Sequence, residues 1–241
     1  MESLISMASL WAPARRDEPE LMDADGLAED EVSDAYRVLC RVNQQLGNRH
    51  TMERELRRHL DEEPRGGEAL TILDVGSGSG DIVGALEKWL ESRRVRVSAL
   101  ALDRDAIAAK LARGRGVRAV RGDALRLPMA DRSVDVVTAV KFAHHFEGDA
   151  LHRLLAEMAR VARRRVVVLD IRRHWVAYWG FVAWSRLFTR NRLVRFDGPL
   201  SVLRGFTASE LAELSGSIPR FLWTVRTYPG FQLALVGRRT S

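Results

Sequence analysis

The sequence reads Leu73-Asp-Val-Gly-Ser-Gly-Ser-Gly-Asp81 where a short β-type run gives way to a helical pattern. Glycines at such a strand-to-helix turn let the backbone approach a ligand closely. A dinucleotide-binding loop has the spacing Gly-x-Gly-x-x-Gly, which from Gly76 would need glycine where Asp81 stands. The spacing present is Gly76, Gly78 and Gly80, with Asp74 before it. This turn suits a zwitterionic amino-acid tail better than a diphosphate.

Around the turn, short apolar runs alternate with segments of helical spacing. The predicted strands cover residues 71–75, 95–102, 117–120, 134–140 and 166–170, with helices near 80–92, 105–113 and 148–163. Mostly apolar strands separated by helices indicate a parallel sheet buried on both faces. Two further strands, 222–228 and 231–236, flank Pro229-Gly230 and form a hairpin. The predicted fold class is α/β, a doubly wound, mostly parallel seven-stranded sheet with an antiparallel last strand.

The chain before the sheet divides into two parts. Residues 1–28 lack sustained periodicity and predict a loose N-terminal arm. Residues 29–66 predict a helical segment, because apolar side chains from Tyr36 to Leu46 recur at helical spacing and Gly47-Asn48 interrupts them. The polar segment 61–67 is the predicted boundary, and 67–241 is the predicted main domain with a helical lid at about 172–206.

Composition narrows the classes of protein. The chain has 241 residues, 46% hydrophobic and 29% charged, which is typical of a soluble globular domain. Its one cysteine, Cys40, excludes an internal disulfide and a cysteine-cluster metal site. No apolar run reaches the roughly 20 residues of a membrane span, and no basic segment opens a signal peptide, so we expect a cytoplasmic protein. The net charge of +6 leaves nucleic acid as an alternative partner.

Two more acidic residues follow neighbouring predicted strands. Asp103 closes the second strand, where its two oxygens could accept the two hydroxyls of a ribose. Asp123 follows the third strand, placed to accept from an adenine amino group while the Ala124 amide donates to a ring nitrogen. An aspartate at a strand end can instead cap the next helix. Three such aspartates at one edge of a parallel sheet favour a ligand site, because open α/β sheets bind ligands there.

These residues resemble the class I S-adenosylmethionine-dependent methyltransferases over about residues 69–237. Within that group, Leu125-Arg-Leu-Pro128, Ser133-Val-Asp-Val-Val137 and Ala143-His-His-Phe146 are similar to the small-molecule branch related to ubiquinone/menaquinone-biosynthesis methyltransferases. The resemblance implies S-adenosyl-L-methionine as cofactor and methyl transfer to a hydrophobic small molecule. An oxygen of a phenol, a quinol or a polyketide-type ring is the favoured acceptor.

The resemblance also implies that residues 29–66 form a cap over the cofactor, with Tyr36, Asn48, Arg49 and His50 as its polar candidates. It further implies positions for the cofactor. Residues 76–80, Ser77 included, would meet its methionine portion, Asp103 and the adjoining Arg104 its ribose, and Asp123 its adenine. After the fourth strand, Val140-Lys141 stands where the family commonly has small polar residues, and these two residues complete the expected cofactor site.

His144 and His145 follow the fourth strand, at the edge where the cofactor is expected. Histidine titrates near neutrality and could take a proton from a phenol or enol. We expect one of the two, with His145 preferred, to act as general base; the alternative is that one packs and the other caps a helix. The spacing of the six histidines suggests no metal site, because adjacent histidines cannot share a helical face as an i, i+4 pair would.

The segment after the fifth strand is aromatic. Trp175, Tyr178 and Trp179 share one helical face and are the predicted wall of a substrate pocket. A dimer contact or ordinary core packing would explain the same residues, and peripheral membrane contact assisted by nearby arginines is a further alternative.

Two functional alternatives remain at this point. A nucleic-acid methyltransferase is disfavoured, because Lys141-Phe-Ala-His-His follows strand four where amino-methylating members carry an Asx-Pro-Pro-aromatic motif. A non-catalytic protein that retains the cofactor site is the other alternative, and a homodimer is compatible with either.

Overall fold

The computed structural model describes residues 12–24, 26–62 and 68–240. Seven strands and eight α-helices lie within these ranges, and short 3₁₀ turns occupy Leu21–Asp23 and Ala143–His145. In chain order the elements are α1 Glu29–Gln45, α2 Asn48–Glu62, β1 Leu70–Val75, α3 Asp81–Glu91, β2 Val97–Asp103, α4 Ala106–Gly114, β3 Ala119–Arg121, β4 Val134–Val140, α5 Gly148–Val161, β5 Ala162–Ile171, α6 Trp175–Phe188, α7 Arg192–Arg204, α8 Ala208–Gly216, β6 Phe221–Tyr228 and β7 Gln232–Arg239.

The strands form one sheet in the order β3-β2-β1-β4-β5-β7-β6. The pairs among β1 to β5 are parallel, and β7 runs antiparallel to both β5 and β6. The predicted fold class is therefore confirmed, including the reversed last strand. The strand order changes direction between β1 and β4, so the carboxyl ends of β1, β2 and β4 open into one crevice.

The residues of each strand alternate between the two faces, as the period of two requires. On one face Leu73, Val137 and Val168 pack with α5 and α8. On the other face Ile72 and Val136 pack with α2, α3 and α4. Both faces are buried, which explains why the strand sequences are almost continuously apolar.

The glycine turn has the backbone geometry that its sequence indicates. Gly76, Gly78 and Gly80 all have positive φ, at 66°, 53° and 70°. A Cβ added to Gly76 would lie 2.1 Å from the ring of Phe142, so no larger residue fits there without moving that ring. The chain thus turns sharply out of β1 and enters α3 directly after Gly80.

Only the first helix of the expected cap lies over the crevice. In α2, Met52 and Leu56 are fully buried in the same cluster as Ile72 of β1, so this helix covers the sheet. Thr51 also donates a hydrogen bond of 2.6 Å to Gln232 of β7. Most of the expected boundary, residues 63–67, lies outside the described residues.

The N-terminal segment is not the loose arm that its composition predicts. Residues 1–11 lie outside the described residues, but 12–24 pack against α7 and the turn after β4. Arg15 donates to the carbonyls of Arg204 and Phe146 at 2.9 and 2.8 Å. The amides of Leu21 and Met22 donate to Asp197 at 2.7 and 2.9 Å. Periodicity could not reveal this segment, because its partners lie far along the chain.

The two helices after β5, α6 and α7, pack on each other and occupy the segment predicted as a lid. Helix α7 also contacts α1 and the 3₁₀ turn at Leu21–Asp23. Across residues 12–24, 26–62 and 68–240, the structure has no helix with the length and apolarity needed to cross a bilayer.

Candidate functional site

A cavity of about 1320 Å³ lies at the carboxyl ends of β1, β2 and β4. It is bounded by the glycine turn on one side, by the N-terminal segment and α1 above, and by α6 and α7 on the far side. Single small-molecule pockets usually enclose roughly 300–1,000 Å³. This cavity is therefore large enough for a nucleoside cofactor and a second molecule together.

Nine of the eleven residues predicted to bind the cofactor line this cavity. They are Gly76, Ser77, Gly78, Asp103, Arg104, Asp123, Ala124, Val140 and Lys141. Asp74 and Gly80 do not line it, and both predictions need correction.

Asp74 lies beneath the turn, with 2% of its surface exposed. The hydroxyl of Thr138 donates to its carboxylate at 2.6 Å. Burial raises the pKa of Asp74 to about 6, although that hydrogen bond opposes the rise. Gly80 caps α3 in the left-handed conformation and faces Ala112. The sequence places both residues at the turn but does not show that its inner side is buried by β4 and α4.

Asp103 connects β2 to the glycine turn. One oxygen accepts the Gly78 amide at 2.8 Å and the other accepts the Asp105 amide at 3.0 Å. Burial raises the pKa of Asp103 despite these bonds. A carboxylate has about four lone-pair positions, so each oxygen can still accept a hydroxyl.

The third acidic position lies at the cavity edge. Asp123 is exposed, and its Oδ1 accepts the Leu125 amide at 2.9 Å, while Ala124 is buried beside it. Arg104 is also exposed and forms an ion pair of 2.9 Å with Asp23 of the N-terminal segment. Arg104 thus connects the carboxyl end of β2 to the N-terminal segment.

His144 lies in the cavity wall and is almost fully buried, with 3% of its side chain exposed. Its Nδ1 shares a 2.7 Å hydrogen bond with Asp170, which also accepts the His144 amide. Its Nε2 lies 3.5 Å from Glu20, a charge contact rather than a strong hydrogen bond. Burial disfavours the imidazolium, but the charges of Asp170 and Glu20 outweigh it and raise the pKa of His144 to about 9. The side chain is therefore protonated at neutral pH.

His145 lies nearer the open cavity, with 22% of its side chain exposed. Its Nδ1 shares a 3.0 Å hydrogen bond with Asp23, and its Nε2 is 3.7 Å from Glu20. The pKa of Glu20 is lowered, because the two histidines outweigh the effect of burial. The carboxylate on Nδ1 orients the ring, and Nε2 has no polar contact closer than its 3.7 Å approach to Glu20 among the described residues.

Among the described residues, Glu20, His144 and His145 form a group whose nitrogen and oxygen atoms lie within 4.8 Å of one another. A divalent ion would fit that spacing. The sequence predicted no metal site because of the spacing of the histidines. Glu20 lies far from them along the chain and was not part of that prediction. Without an ion, the His144 imidazolium lies between two carboxylates, with Nδ1 hydrogen-bonded to Asp170 and Nε2 in charge contact with Glu20.

Comparison with known proteins identifies the domain. Residues 73–169, from the end of β1 through most of β5, match the family described as "Methyltransferase domain". This match covers the glycine turn, Asp103 and both histidines. The chain therefore contains a methyltransferase domain, and the predicted resemblance to class I S-adenosylmethionine-dependent methyltransferases is confirmed over this part of it.

Solved structures share the fold of this methyltransferase. A S-adenosylmethionine-dependent methyltransferase from Aquifex aeolicus is 15% identical, with a TM-score of 0.54 over 78% of this chain and 89% of that chain. Magnesium protoporphyrin IX methyltransferase from Synechocystis, with bound S-adenosylmethionine, is 11% identical, with a TM-score of 0.55 over 91% and 88%. A putative O-methyltransferase from Nostoc punctiforme is 14% identical, with a TM-score of 0.61 over 99% and 67%. Curated proteins gave no match.

The cofactor of the methyltransferase is S-adenosylmethionine. The chemistry of the cavity fits it, because Asp103 and Asp123 are acceptors and a nucleoside presents hydroxyl and amino donors. At the other end, the left-handed turn brings backbone rather than side chains toward the ligand.

Lys141 of the methyltransferase has an unusual position after β4. It has a positive φ of 54°, and its amide donates to the Leu169 carbonyl at 2.8 Å. Burial lowers the pKa of its ammonium to about 8, partly offset by Asp170. The residue that departs from the family pattern therefore adds a buried cation beside the His144–Asp170 pair.

The predicted substrate wall is on the wrong face of α6. Trp175 and Trp179 are exposed, and neither they nor Tyr178 lines the cavity. The residues of α6 that do line it are Val176, Ala177, Gly180, Phe181 and Trp184. Helical spacing shows which residues share a face, but α6 is apolar nearly all round, so the spacing could not show which face is inside.

The other polar candidates of the cap divide in the same way. Tyr36 and Asn48 line the cavity, and the Tyr36 hydroxyl donates to Asp105 at 3.2 Å. Arg49 is instead paired with Glu53 at 2.6 Å, and His50 is exposed.

Sequence reasoning missed three acidic residues, Glu20, Asp23 and Asp170. Glu20 and Asp23 lie in the segment expected to be loose, and their contact with the histidines spans more than a hundred positions. Asp170 could have been found, because it ends the apolar run Val166-Val-Val-Leu at the same sheet edge as the other strand-end aspartates.

Proposed function

We propose that the methyltransferase methylates an oxygen of a hydrophobic small molecule, such as a phenol, a quinol or a polyketide-type ring, with His145 as general base. One observation carries the proposal. His145, oriented by Asp23, lines the same cavity as the glycine turn and Asp103. A base and a cofactor site thus face a shared space that is open to a second molecule.

We assign the cofactor as follows. Residues 76–78 hold the methionine portion, Asp103 accepts the ribose hydroxyls, and Asp123 with the Ala124 amide binds the adenine. Arg104, Val140 and Lys141 complete the walls. The support is the location of all these residues around one cavity.

S-adenosylmethionine supplies a methyl group on a sulfonium, which a nucleophile displaces in line. The acceptor hydroxyl gives its proton to Nε2 of His145 as its oxygen forms the new bond to carbon. The carbon–sulfur bond of the bound cofactor would give its electron pair to sulfur, and the proton of the acceptor would remain on His145. Asp23 holds the ring in place and stabilises its charge, and α1, α6 and α7 exclude water.

His145 rather than His144 is assigned as the base because of protonation. His144 has a pKa of about 9 and already carries a proton at neutral pH. It is also almost fully buried. Its role is to hold Glu20 and thereby the second histidine in position.

The acceptor is assigned as apolar from the far wall. Phe181 and Trp184 line the cavity there, and Phe142 and Phe146 line it beside the glycine turn and β4. Aromatic walls favour planar or long-chain apolar ligands. Structures of the same fold include a magnesium protoporphyrin IX methyltransferase and a putative O-methyltransferase, so the fold accommodates such acceptors.

The test uses His145→Gln, assayed with labelled cofactor on a panel of alkylated phenols and hydroquinones. Affinity for S-adenosylhomocysteine, measured by calorimetry, should not change. The turnover number should fall by about 10²- to 10⁴-fold, the usual contribution of a general base.

The matched control is His152→Gln, a half-buried histidine of α5 outside the cavity lining, which should keep wild-type turnover. Unaltered turnover in His145→Gln would refute its role as base. Methylation of RNA or DNA with none of the phenols would refute the acceptor class.

A further inference from the structure

The lid helix α6 has two different apolar faces. Ala177, Phe181 and Trp184 face the cavity, while Trp175 and Trp179 are 42% and 61% exposed. At 100° per residue, positions 175, 179, 183 and 186 fall within about 80° of arc. The helix therefore separates the cavity from a second apolar surface on the outside.

That outer surface concentrates most of the exposed large hydrophobic side chains in the described part of the chain. Six of the eight lie between residues 175 and 196. We use the name outer lid face for the six exposed apolar residues of the two lid helices, which do not all lie on one side of α6: Trp175, Val176, Trp179, Leu187, Phe188 and Phe196. The remaining two, Leu46 and Leu222, lie on other elements. Scattered exposed leucines need no explanation, but a concentration of this size marks an interaction site.

The segment that carries the outer lid face has charged residues of one sign. Residues 174–196 contain four arginines and no acidic residue. Arg192 is paired with Glu31, and Arg195 donates to carbonyls at the turn between α6 and α7. Arg186 and Arg190 are exposed and form no ion pair with the described residues. Tryptophan, leucine and phenylalanine bordered by arginine are typical of helices that lie in a membrane interface.

We propose that the outer lid face docks the methyltransferase on an anionic bilayer surface, from which its apolar acceptor enters the cavity. The source of the acceptor rests on the proposed function, whereas the docking does not. Helix α6 would lie in the interface plane, because its 14 residues are too few to span the bilayer. Val176 and Gly180 are both exposed and part of the cavity lining, so α6 offers a short apolar path inward.

A second copy of the chain fits this surface less well. In a two-fold dimer the same patch meets itself, so Arg186 and Arg190 of one copy would approach those of the other with no acidic residue from 174–196 between them. Anionic lipid headgroups supply the missing charge, at a gain of about fivefold in affinity for each arginine near the surface.

The experiment is sedimentation of the full chain with sucrose-loaded vesicles of phosphatidylcholine, with and without phosphatidylglycerol. We expect binding to the anionic vesicles that weakens at high salt. Trp175→Ser with Trp179→Ser should reduce it at least about tenfold. Arg186→Gln with Arg190→Gln should reduce it by about thirtyfold on anionic vesicles only.

Two matched controls remove an exposed leucine and an exposed arginine elsewhere. Leu222→Ser on β6 and Arg96→Gln before β2 should leave vesicle binding unchanged. Calorimetry with S-adenosylhomocysteine verifies that each variant is folded and holds the cofactor product. Equal loss of binding in the controls would refute the assignment to this face.

The remaining outcomes separate the two proposals. Absence of sedimentation with every vesicle, in protein that binds S-adenosylhomocysteine, overturns the docking surface and leaves methyl transfer untouched. A dimer in light scattering that the tryptophan variants dissociate, without vesicle binding, overturns it in favour of self-association. Sedimentation as expected supports docking even where no phenol of the panel is methylated, a result that would contradict the proposed function alone.

Discussion

The buried His144–Asp170 pair should make the stability of the methyltransferase depend on pH in a defined window. His144 has a folded-state pKa of about 9, against an ordinary value of 6.5. Because the folded value is raised, protonation stabilises the fold fully below pH 6.5, and this contribution is lost as the pH rises through 9. We therefore expect the free energy of unfolding to fall on the alkaline side of neutrality.

The size of the effect follows from these two pKa values. The difference between the folded and ordinary pKa values corresponds to about 3 kcal/mol in the free energy of unfolding. About 2 kcal/mol of this contribution is lost between pH 6 and pH 8. Lys141 has the opposite sign, since its pKa is lowered to about 8 and it adds stability as the pH rises from there toward 10.5. The comparison is therefore restricted to pH 8 and below.

The assay is urea unfolding at pH 6, 7 and 8 on the wild type and on His144→Asn. Asparagine keeps a donor for Asp170 but cannot take a proton. Other groups, such as Asp74 with its pKa of about 6, titrate in both proteins. Their contributions therefore cancel when the unfolding free energies of wild type and variant are subtracted. Between pH 6 and pH 8, the free energy of unfolding of the wild type should fall by about 2 kcal/mol more than that of His144→Asn. The control is His50→Asn, a change at an exposed position, which should follow the wild type. Parallel curves for wild type and His144→Asn would refute a protonated, ion-paired His144.

Three further predictions concern the cavity. Gly78→Val should weaken S-adenosylhomocysteine binding at least about tenfold in calorimetry, because φ is 53° and a Cβ would lie 3.0 Å from Tyr36; wild-type affinity would show that the turn is not the binding element. Asp103→Ala should weaken the same binding about 10- to 100-fold, since charged hydrogen bonds contribute about 1.5–3 kcal/mol, whereas the exposed Asp149→Ala should not. Treatment with EDTA should leave turnover unchanged, and a loss restored by Mg²⁺ or Zn²⁺ would reassign the Glu20 cluster as a metal centre.

The architecture was predictable because its signals are local. Apolar runs such as Val134–Val140 and the glycine turn have recognisable spacing, so the strands and their alternation with helices follow from the sequence. The acidic strand tips Asp103 and Asp123 were found by the same logic, since parallel strands place their carboxyl ends at one edge. Helix α2 was misplaced as a cap, because an apolar stripe shows that a helix is covered but not by what.

The sequence by itself determined the order of the strands along the chain, the turn at residues 76–80 and the presence of a histidine pair beside it. These depend on residues within a few positions of one another, whose spacing is visible in one dimension. Only the tertiary structure decided that Glu20 and Asp23 reach the histidines and that Phe181 and Trp184, rather than Trp175 and Trp179, face the cavity. A contact across 122 positions leaves no periodic signal, and a helix apolar on all sides acquires an inside only when it packs.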